Sequence, residues 1–510
     1  MLITLSISGL VMASVPAENK IPQTISELEE KIMQVLKETN TPGAAVVLTT
    51  SDEILWTGAL GVADVGNEVA VTSNTMFRVG SVSKSFIGLT LLALEEEGML
   101  DLNDSLRELI PEVEFNNQWE ESHPVLLAHL LEHTSGFDDM SLKEYAISDP
   151  EITLEEAFMI NADNKESRWP PGRHTSYSNV APSVAARVAE VVSGRPFEEL
   201  VDEYLFTPLE METSSFFPTQ TVQDHLTKSY GADGVTEIPY SHIIYRPSGA
   251  LNVTPYEMGH FLQMLLQKGS YQGSSILSPE KIERFQRPET ALSAKHGLEV
   301  GFGPGSVVMP DRDQVFIGHD GGIDGFLSAY GYLPEDDIAY FCVINSANGQ
   351  AFSEINKLIR LYVTKDIPES EPPAITEVSM EQLHEYTGYY ETFTPRMEML
   401  RFLEVALGIM HIELDQERLY ITSPFGGKEE LIPAGQDKFR GAEDTIANMI
   451  FIEDQDGGWF LQGYGETVFG NLRSVPAWQY YLRAALTMFS IFFLFSALIY
   501  ALFWILWRFL

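Results

Sequence analysis

The C-terminus holds the feature that most restricts how this chain can fold: 24 consecutive residues, Ala484 to Trp507, without a charged side chain. Arg483 and Arg508 flank this run, which is rich in Phe, Leu, Ile and Trp. As a helix rising about 1.5 Å per residue, the run reaches roughly 36 Å, enough to cross a hydrocarbon layer of about 30 Å. A buried core helix is the alternative, but the run is longer than most core helices. The sequence therefore predicts a transmembrane helix over residues 482–508.

Charge and composition restrict the classes of partner. The 510 residues include 73 Asp and Glu against 32 Lys and Arg, a net charge of −41, which would repel nucleic-acid phosphates and anionic lipid headgroups. Hydrophobic residues make up 45% of the chain and charged residues 21%, as in globular proteins, so disorder of the whole chain is excluded. Cys342 is the single cysteine, which excludes an internal disulfide. The histidines show no ligand-like clustering, so we predict neither a metal site nor another cofactor.

The N-terminus resembles a targeting segment. The apolar stretch Leu2–Met12 precedes Val15-Pro16-Ala17, which is similar to a small-residue cleavage site, although no Lys or Arg comes before it. We predict a cleaved signal peptide over residues 1–17, with a short buried or frayed segment as the alternative. Arg473 and Arg483 precede the C-terminal run and only Arg508 follows it, which slightly opposes a position of the main domain outside the cytoplasm. Long domains often translocate regardless of such charges, so the signal-like N-terminus carries more weight. We therefore expect a single-pass membrane protein with its main domain outside the cytoplasm and an oligomeric state left open.

The chain between these ends predicts a large α+β domain over residues 18–365. Apolar residues recur at helical spacing over residues 23–40, and an almost wholly apolar helix follows from Ser81. The middle third is helical and rich in loops. Strand patterns lie on both sides of it, at residues 44–48, 54–58, 307–309, 314–317, 325–330 and 339–345.

The C-terminal part predicts a second, smaller domain. Residues 366–380 contain three prolines among acidic residues and predict a linker. Short alternating segments separated by turn residues follow over residues 381–475. Their spacing predicts a β-barrel or β-sandwich of about 90 residues.

The sequence Ser81-Val82-Ser83-Lys84 is the sharpest chemical signal. At positions i and i+3 of a helix, the Ser81 hydroxyl and the Lys84 amine lie on one face, within hydrogen-bonding reach. To act as a base, Lys84 must lose its charge, which requires its pKa to fall from about 10.4 towards 7 to 8. A buried helix supplies the desolvation for this fall, and a helix start favours negative charge developing beside Ser81. A capped surface helix explains the same four residues without any chemistry.

Three further segments favour a catalytic role for Ser81 and Lys84 over a capped surface helix. Tyr177-Ser178-Asn179 offers a phenol that can shuttle a proton and an amide that can hold a carbonyl or the lysine. Gly318-His319-Asp320-Gly321-Gly322 leads towards a strand, and its glycines leave the backbone accessible. Residues 130–137 read as a helix end and turn, in which His133 is interpreted as a structural hydrogen-bonding residue.

In this order, the segments resemble the serine β-lactamase, penicillin-binding protein and esterase family, specifically its class C-like branch, the S12 serine peptidases. The resemblance covers about residues 22–363. The family's Ser-x-x-Lys maps on Ser81 and Lys84, its Tyr-x-Asn on Tyr177 and Asn179, and its Lys-Thr-Gly strand motif on His319-Asp320-Gly321. Pro247–Leu251 looks like a further landmark.

The resemblance implies an α/β sandwich meeting a helical region at Ser81, which would attack a carbonyl and form an acyl-enzyme. The backbone N–H groups of Ser81 and Gly322 would form the oxyanion hole. Lys84 and Tyr177 would share the acid and base roles, with the base unassigned, and Asn179 would orient them. His319 stands where β-lactamases carry Lys, which argues against β-lactam hydrolysis because imidazole is mostly neutral at pH 7.

The resemblance also extends to the C-terminal domain, which looks like the small lipocalin-like β-barrel that some family members carry, with Leu383–Tyr390 as its opening strand. The predicted function is a membrane-tethered serine hydrolase acting on a peptide, amide or ester, such as a D-amino-acid peptidase, a carboxypeptidase or an esterase. A non-hydrolytic receptor for penicillins or cell-wall peptides is the rival, and an anchored scaffold with an inactive pocket is a third alternative.

Overall fold

The computed structural model describes residues 21–368, 375–423, 427–442, 444–454, 457–463 and 471–509. The chain forms two compact units that divide at residues 372 and 373. The predicted signal peptide over residues 1–17 lies outside the described residues, as do residues 369–374 of the predicted linker. These two predictions therefore stay predictions.

The first unit contains thirteen α-helices and fourteen strands among its described residues. The helices are α1 Ile25–Glu38, α2 Ser83–Glu96, α3 Leu106–Leu109, α4 Leu127–Leu131, α5 Leu142–Tyr145, α6 Leu154–Ile160, α7 Val180–Ser193, α8 Phe197–Val201, α9 Gln220–His225, α10 Pro255–Leu266, α11 Pro279–Phe285, α12 Leu292–Lys295 and α13 Gly349–Val363. The strands are β1 Gly43–Thr49, β2 Ile54–Asp64, β3 Val69–Ala70, β4 Phe77–Arg78, β5 Ser229–Tyr230, β6 Glu237–Ile238, β7 Asn252–Val253, β8 Ser270–Tyr271, β9 Ser274–Ser275, β10 Gly301–Phe302, β11 Val307–Asp311, β12 Gln314–Ile323, β13 Phe326–Leu333 and β14 Ile338–Ile344.

An antiparallel sheet of eight strands forms the frame of this unit, in the order β10-β11-β12-β13-β14-β1-β2-β3. The first and last strands of this unit are neighbours inside the sheet, where Ala44 of β1 pairs with Ile344 of β14. All seven residues of β1 are buried, so helices cover both faces of the sheet. Helices α1 and α13 pack on each other and on the sheet, and α10 packs on β1 and β14. The predicted α+β class is confirmed.

Helix α2 lies at the centre of the helical region. Its residues 83–94 are all buried, as expected for a helix that is apolar on nearly every side. Helix α7 packs against it. The predicted helix starts two residues later than expected, because Gly80–Val82 form a 3₁₀ turn and α2 begins at Ser83. Ser81 therefore lies in a tight turn before the helix.

The second unit is a closed antiparallel barrel followed by a long helix. Its helices are α14 Met380–Glu385, α15 Arg401–Leu407 and α16 Ala477–Phe509, and its strands are β15 Gly388–Thr392, β16 Met410–Asp415, β17 Arg418–Thr422, β18 Lys428–Gly435, β19 Lys438–Arg440, β20 Met449–Glu453, β21 Trp459–Gly463 and β22 Leu472–Val475. The eight strands close in sequence order. Tyr386 stacks on Phe451 in the barrel core, with ring centroids 4.3 Å apart. Of the two architectures predicted for this region, the barrel is the one that forms.

Helix α16 contains the uncharged run. Its segment Ala477–Ala501 has a mean hydropathy of 2.1 in its most apolar window and is exposed there. By length and composition, this segment could cross a membrane. The predicted span of residues 482–508 falls within α16.

Candidate active site

A tight turn places Ser81 beside the end of strand β12. Gly80 adopts a positive φ of 51°, which glycine tolerates without steric cost. A Cβ at this position would lie 2.7 Å from the backbone nitrogen of Gly322, so only glycine fits. The turn and strand are thus packed in direct contact. Ser81 keeps part of its surface exposed at this contact.

Lys84 carries the buried amine of the site, with 1% of its surface exposed. Its Nζ donates to the Ser81 Oγ at 3.1 Å, to the Asn179 Oδ1 at 2.7 Å and to the Ser248 carbonyl at 2.9 Å. The three acceptors hold the amine beside the hydroxyl. The spacing predicted from Ser-x-x-Lys is therefore present, although Ser81 lies in the 3₁₀ turn and Lys84 in α2.

Asn179 is fixed by a buried carboxylate. Its backbone N–H donates to Asp139 Oδ1 at 2.8 Å, and its side-chain Nδ2 lies 3.3 Å from Asp139 Oδ2. Asp139 is itself only 2% exposed. Because the amide nitrogen faces Asp139, the amide oxygen is directed towards the Lys84 amine. No motif in the sequence pointed to Asp139.

Tyr177 covers the lysine. The Lys84 Nζ lies 4.9 Å from the centre of the Tyr177 ring. The ring packs against His133, with centroids 4.4 Å apart, and against Phe302 at 5.8 Å. His133 Nδ1 accepts a hydrogen bond from the Ser178 N–H at 3.2 Å. The interpretation of His133 as a structural residue agrees with this geometry, since it holds the segment that carries Tyr177.

The two glycines of the strand motif allow β12 to approach the turn that carries Ser81. A Cβ on Gly321 would lie 2.1 Å from the Val79 carbonyl and 2.9 Å from the Ser81 backbone nitrogen. The Ser328 hydroxyl donates to the same Val79 carbonyl at 2.8 Å and ties the neighbouring strand β13 to the turn. The backbone nitrogens of Ser81 and Gly322 are thus brought to the same junction of turn and strand.

His319 is buried beside these groups. Its ring centroid lies 6.5 Å from that of Tyr177, and the residue is 2% exposed. Burial lowers the pKa of His319 to about 4, since the Asp320 carboxylate only partly opposes desolvation and the Lys84 charge adds to the fall. The imidazole is therefore neutral at pH 7. The Asp320 side chain points outwards and is 77% exposed.

The structure brings together all seven residues predicted from the sequence: Ser81, Lys84, Tyr177, Asn179, His319, Gly321 and Gly322. Among the other residues that contact this set, Asp139 accepts a hydrogen bond from Asn179, and the Ser248 carbonyl accepts one from Lys84. Ser248 lies within the landmark Pro247–Leu251, which gave no indication of a contact with Lys84. In the ranges that the structure describes, no three His, Cys, Asp or Glu side chains converge to hold a metal ion.

Comparisons with known proteins agree with this geometry. Residues 25–364 match the family described as Beta-lactamase. Penicillin-binding protein 4 of Amycolatopsis lactamdurans is 25% identical over 332 residues, which cover 64% of this chain and 86% of the relative. Protein flp of Staphylococcus aureus strain MW2 is 22% identical over 306 residues, and the match spans 59% of each chain.

Solved structures share the fold at low sequence identity. The octameric penicillin-binding protein homologue from Pyrococcus abyssi superposes with a TM-score of 0.57 at 21% identity, over 89% of this chain and 100% of its own. The β-lactamase/D-alanine carboxypeptidase from Yersinia pestis gives 0.54 at 20% identity, over 67% of this chain and 99% of its own. Because the family match covers residues 25–364, well over half of the chain, the chain belongs to the β-lactamase family of serine hydrolases.

Proposed function

We propose that the protein is a membrane-tethered serine hydrolase that cleaves peptide, amide or ester substrates through an acyl-enzyme on Ser81. The observation that carries this proposal is the 3.1 Å hydrogen bond between a buried lysine amine and the Ser81 hydroxyl. Because Lys84 is buried, its amine neither improves the solubility of the surface nor adds to an apolar core. Its position beside a hydroxyl is suited to proton transfer.

In the proposed mechanism, the Ser81 Oγ attacks the substrate carbonyl carbon while its proton passes to the pair formed by Lys84 and Tyr177. The negative charge on the carbonyl oxygen is stabilised by the N–H groups of Ser81 and Gly322. The pair then returns the proton to the leaving amine or alcohol as the bond to carbon breaks. Water attacks the resulting ester, releases the acid and restores the Ser81 hydroxyl.

Asn179 is proposed as a positioning residue. Its oxygen accepts from the Lys84 amine, and Asp139 holds its amide in that orientation. The seven predicted site residues thereby receive roles as nucleophile, proton-transfer pair, positioning residue and substrate-binding strand.

His319 bears on the class of substrate. A neutral imidazole offers one donor and one acceptor but no charge for a substrate carboxylate. This favours ester and neutral amide substrates over β-lactams. A D-amino-acid peptide is kept in the proposal, because one relative of this fold was crystallised with D-Leu, at a TM-score of 0.58 and 18% identity, and another is a β-lactamase/D-alanine carboxypeptidase.

The tether is proposed from α16, whose exposed apolar surface is suited to a bilayer. We further propose that the first unit lies outside the cytoplasm and that the barrel is lipocalin-like. The rival function is a receptor that becomes acylated without turnover, in line with relatives described as penicillin-binding proteins.

Turnover separates these functions. The purified chain in detergent is tested against a panel of acyl esters, D-amino-acid peptides and β-lactams, beside Ser81→Ala and a control, Ser275→Ala, which removes an exposed hydroxyl. Hydrolysis by the wild type and by Ser275→Ala, but not by Ser81→Ala, supports the proposal. Stable acylation of Ser81 without product release would favour the receptor, and equal turnover by Ser81→Ala would refute both.

A further inference from the structure

A short, mostly apolar segment interrupts the barrel between strands β15 and β16, with Glu398, Arg401 and Glu404 as its charged residues. It consists of a 3₁₀ turn, Glu398–Leu400, and helix α15. Two large apolar side chains in this segment point away from the barrel: Met399 is 49% exposed and Phe402 is 72% exposed. Met399 and Phe402 lie three residues apart in the segment, so together they offer exposed apolar area that could be buried against another apolar phase.

The same face of the second unit carries the start of α16. Helix α15 contacts both α16 and β15. Tyr389 of β15 stacks on Tyr480 of α16 at 4.0 Å between centroids, and its hydroxyl lies 3.0 Å from that of Tyr481. Arg483 forms an ion pair with Glu391 of β15. The barrel wall is therefore attached to the first two turns of α16.

The position of this attachment places α15 close to the beginning of the uncharged run. Tyr480 precedes Ala484 by four residues, a rise of about 6 Å along a helix. Trp478 and Tyr481 are 64% and 60% exposed at the same level. Tyr and Trp at the end of an apolar helix are typical of the boundary between lipid headgroups and acyl chains.

We propose that α15, through Met399 and Phe402, inserts into the headgroup boundary of the bilayer that α16 crosses, as a second, interfacial membrane contact. This inference rests on the proposed tether. A bilayer surface without net charge fits this protein better than an anionic one, because the chain carries a net charge of −41. An interfacial helix can gain its affinity from buried apolar area without attraction between charges. The partner is therefore a zwitterionic lipid surface.

The experiment uses spin labels on the full chain in phosphatidylcholine bilayers. Cys342 is buried, so a single introduced cysteine is the reactive thiol. Labels are placed by Met399→Cys and Phe402→Cys, with Leu498→Cys, in the predicted span, as the lipid reference. Val235→Cys, at a side chain that is 71% exposed in the first unit, is the aqueous reference. Collisions with oxygen, which partitions into lipid, are compared with collisions with a water-soluble nickel chelate.

The inference predicts that labels at 399 and 402 collide with the nickel chelate severalfold less often than the label at 235, and with oxygen more often. Aqueous values at 399 and 402, with a lipid value at 498, would overturn the interfacial contact and leave the tether intact. Aqueous values at all three positions would overturn both. Circular dichroism of each labelled chain verifies the fold.

Discussion

The two units of the molecule differ in which unusual side chains they place where: the first buries ionisable groups, and the second exposes large apolar ones. The first unit buries Lys84, His319 and Asp139 beside a partly exposed serine, whereas the second exposes large apolar side chains on α15 and α16. Buried ionisable groups cost free energy unless they are paired, and exposed apolar groups cost free energy unless they are covered. Each unit therefore departs from the ordinary pattern at the place where we propose that it contacts something else: a substrate in the first unit and lipid in the second.

The largest expected effect concerns the buried amine. Lys84→Met removes the amine that we propose to transfer the proton but keeps the bulk of the side chain, so kcat/KM for acyl transfer is expected to fall by about 10²–10⁴-fold. Lys165→Met is the matched control, since Lys165 is similarly buried, at 2% exposed, and its Nζ donates only to backbone carbonyls among its contacts shorter than 3.2 Å. That variant is expected to lose about 1–3 kcal/mol of stability with kcat/KM retained.

Stopped-flow acylation and thermal unfolding, measured on both lysine variants, provide the comparison. Equal losses of kcat/KM in the two variants would mean that burial alone, rather than the hydroxyl contact, explains the effect of Lys84.

A second test widens the junction between β12 and the Ser81 turn. Gly321→Ala places a methyl group 2.1 Å from the Val79 carbonyl, which pushes the strand away and misplaces the Gly322 N–H. Loss of one oxyanion donor typically lowers kcat by about 10²–10³-fold. Gly349→Ala is the control, because nothing lies within 4 Å of its added methyl group. Retained activity in Gly321→Ala would argue against an oxyanion role for this strand.

The third test concerns the pH dependence of stability. The folded pKa of His319 is about 4 against 6.5 for the free group. As the pH falls from 6.5 towards 4, the unfolded chain takes up a proton at this residue and the folded chain does not, so stability is lost. The loss due to His319 reaches about 3 kcal/mol. His319→Gln cannot bind the proton, so its free energy of unfolding in urea is expected to fall less between pH 7 and pH 4. Parallel curves for the two proteins would contradict a buried neutral imidazole.

The smallest expected effect tests whether the first unit acts without α16. A chain ending at Val475 lacks α16 and is expected to lose its association with phosphatidylcholine vesicles, as measured by flotation. Its kcat/KM on a small soluble ester is expected to stay within about twofold of the full chain, because Ser81 and Lys84 lie in the first unit, which has a hydrophobic core of its own. A large loss of turnover would show that the active site depends on the C-terminal helix.

Local patterns predicted much of this architecture. Ser81 and Lys84 are three residues apart, and the strands of the sheet show alternating or continuous apolar residues over short windows. Both the pair and the strands could therefore be predicted from the sequence. The hydrogen-bond acceptors of Lys84 were harder to predict from the sequence, since Asn179 and Ser248 lie 95 and 164 positions away from it. The resemblance supplied Asn179, but Asp139 has no motif because its role exists only through the folded contact.

The C-terminal unit shows the same limit. The alternation of apolar residues predicted a β domain, and length and charge predicted the helical character of residues 482–508. Helix α15 was not predicted, because seven helical residues inside a β-rich region are too few for a periodic pattern to emerge. Its position beside α16 depends on barrel closure, which brings β15 next to β22.

Peptide mapping after reaction with a fluorophosphonate shows whether Ser81 is the nucleophile. We expect one covalent adduct, on the peptide that contains Ser81, and no adduct in Ser81→Ala. An adduct on another serine, or labelling of Ser81→Ala at the wild-type rate, would contradict this role.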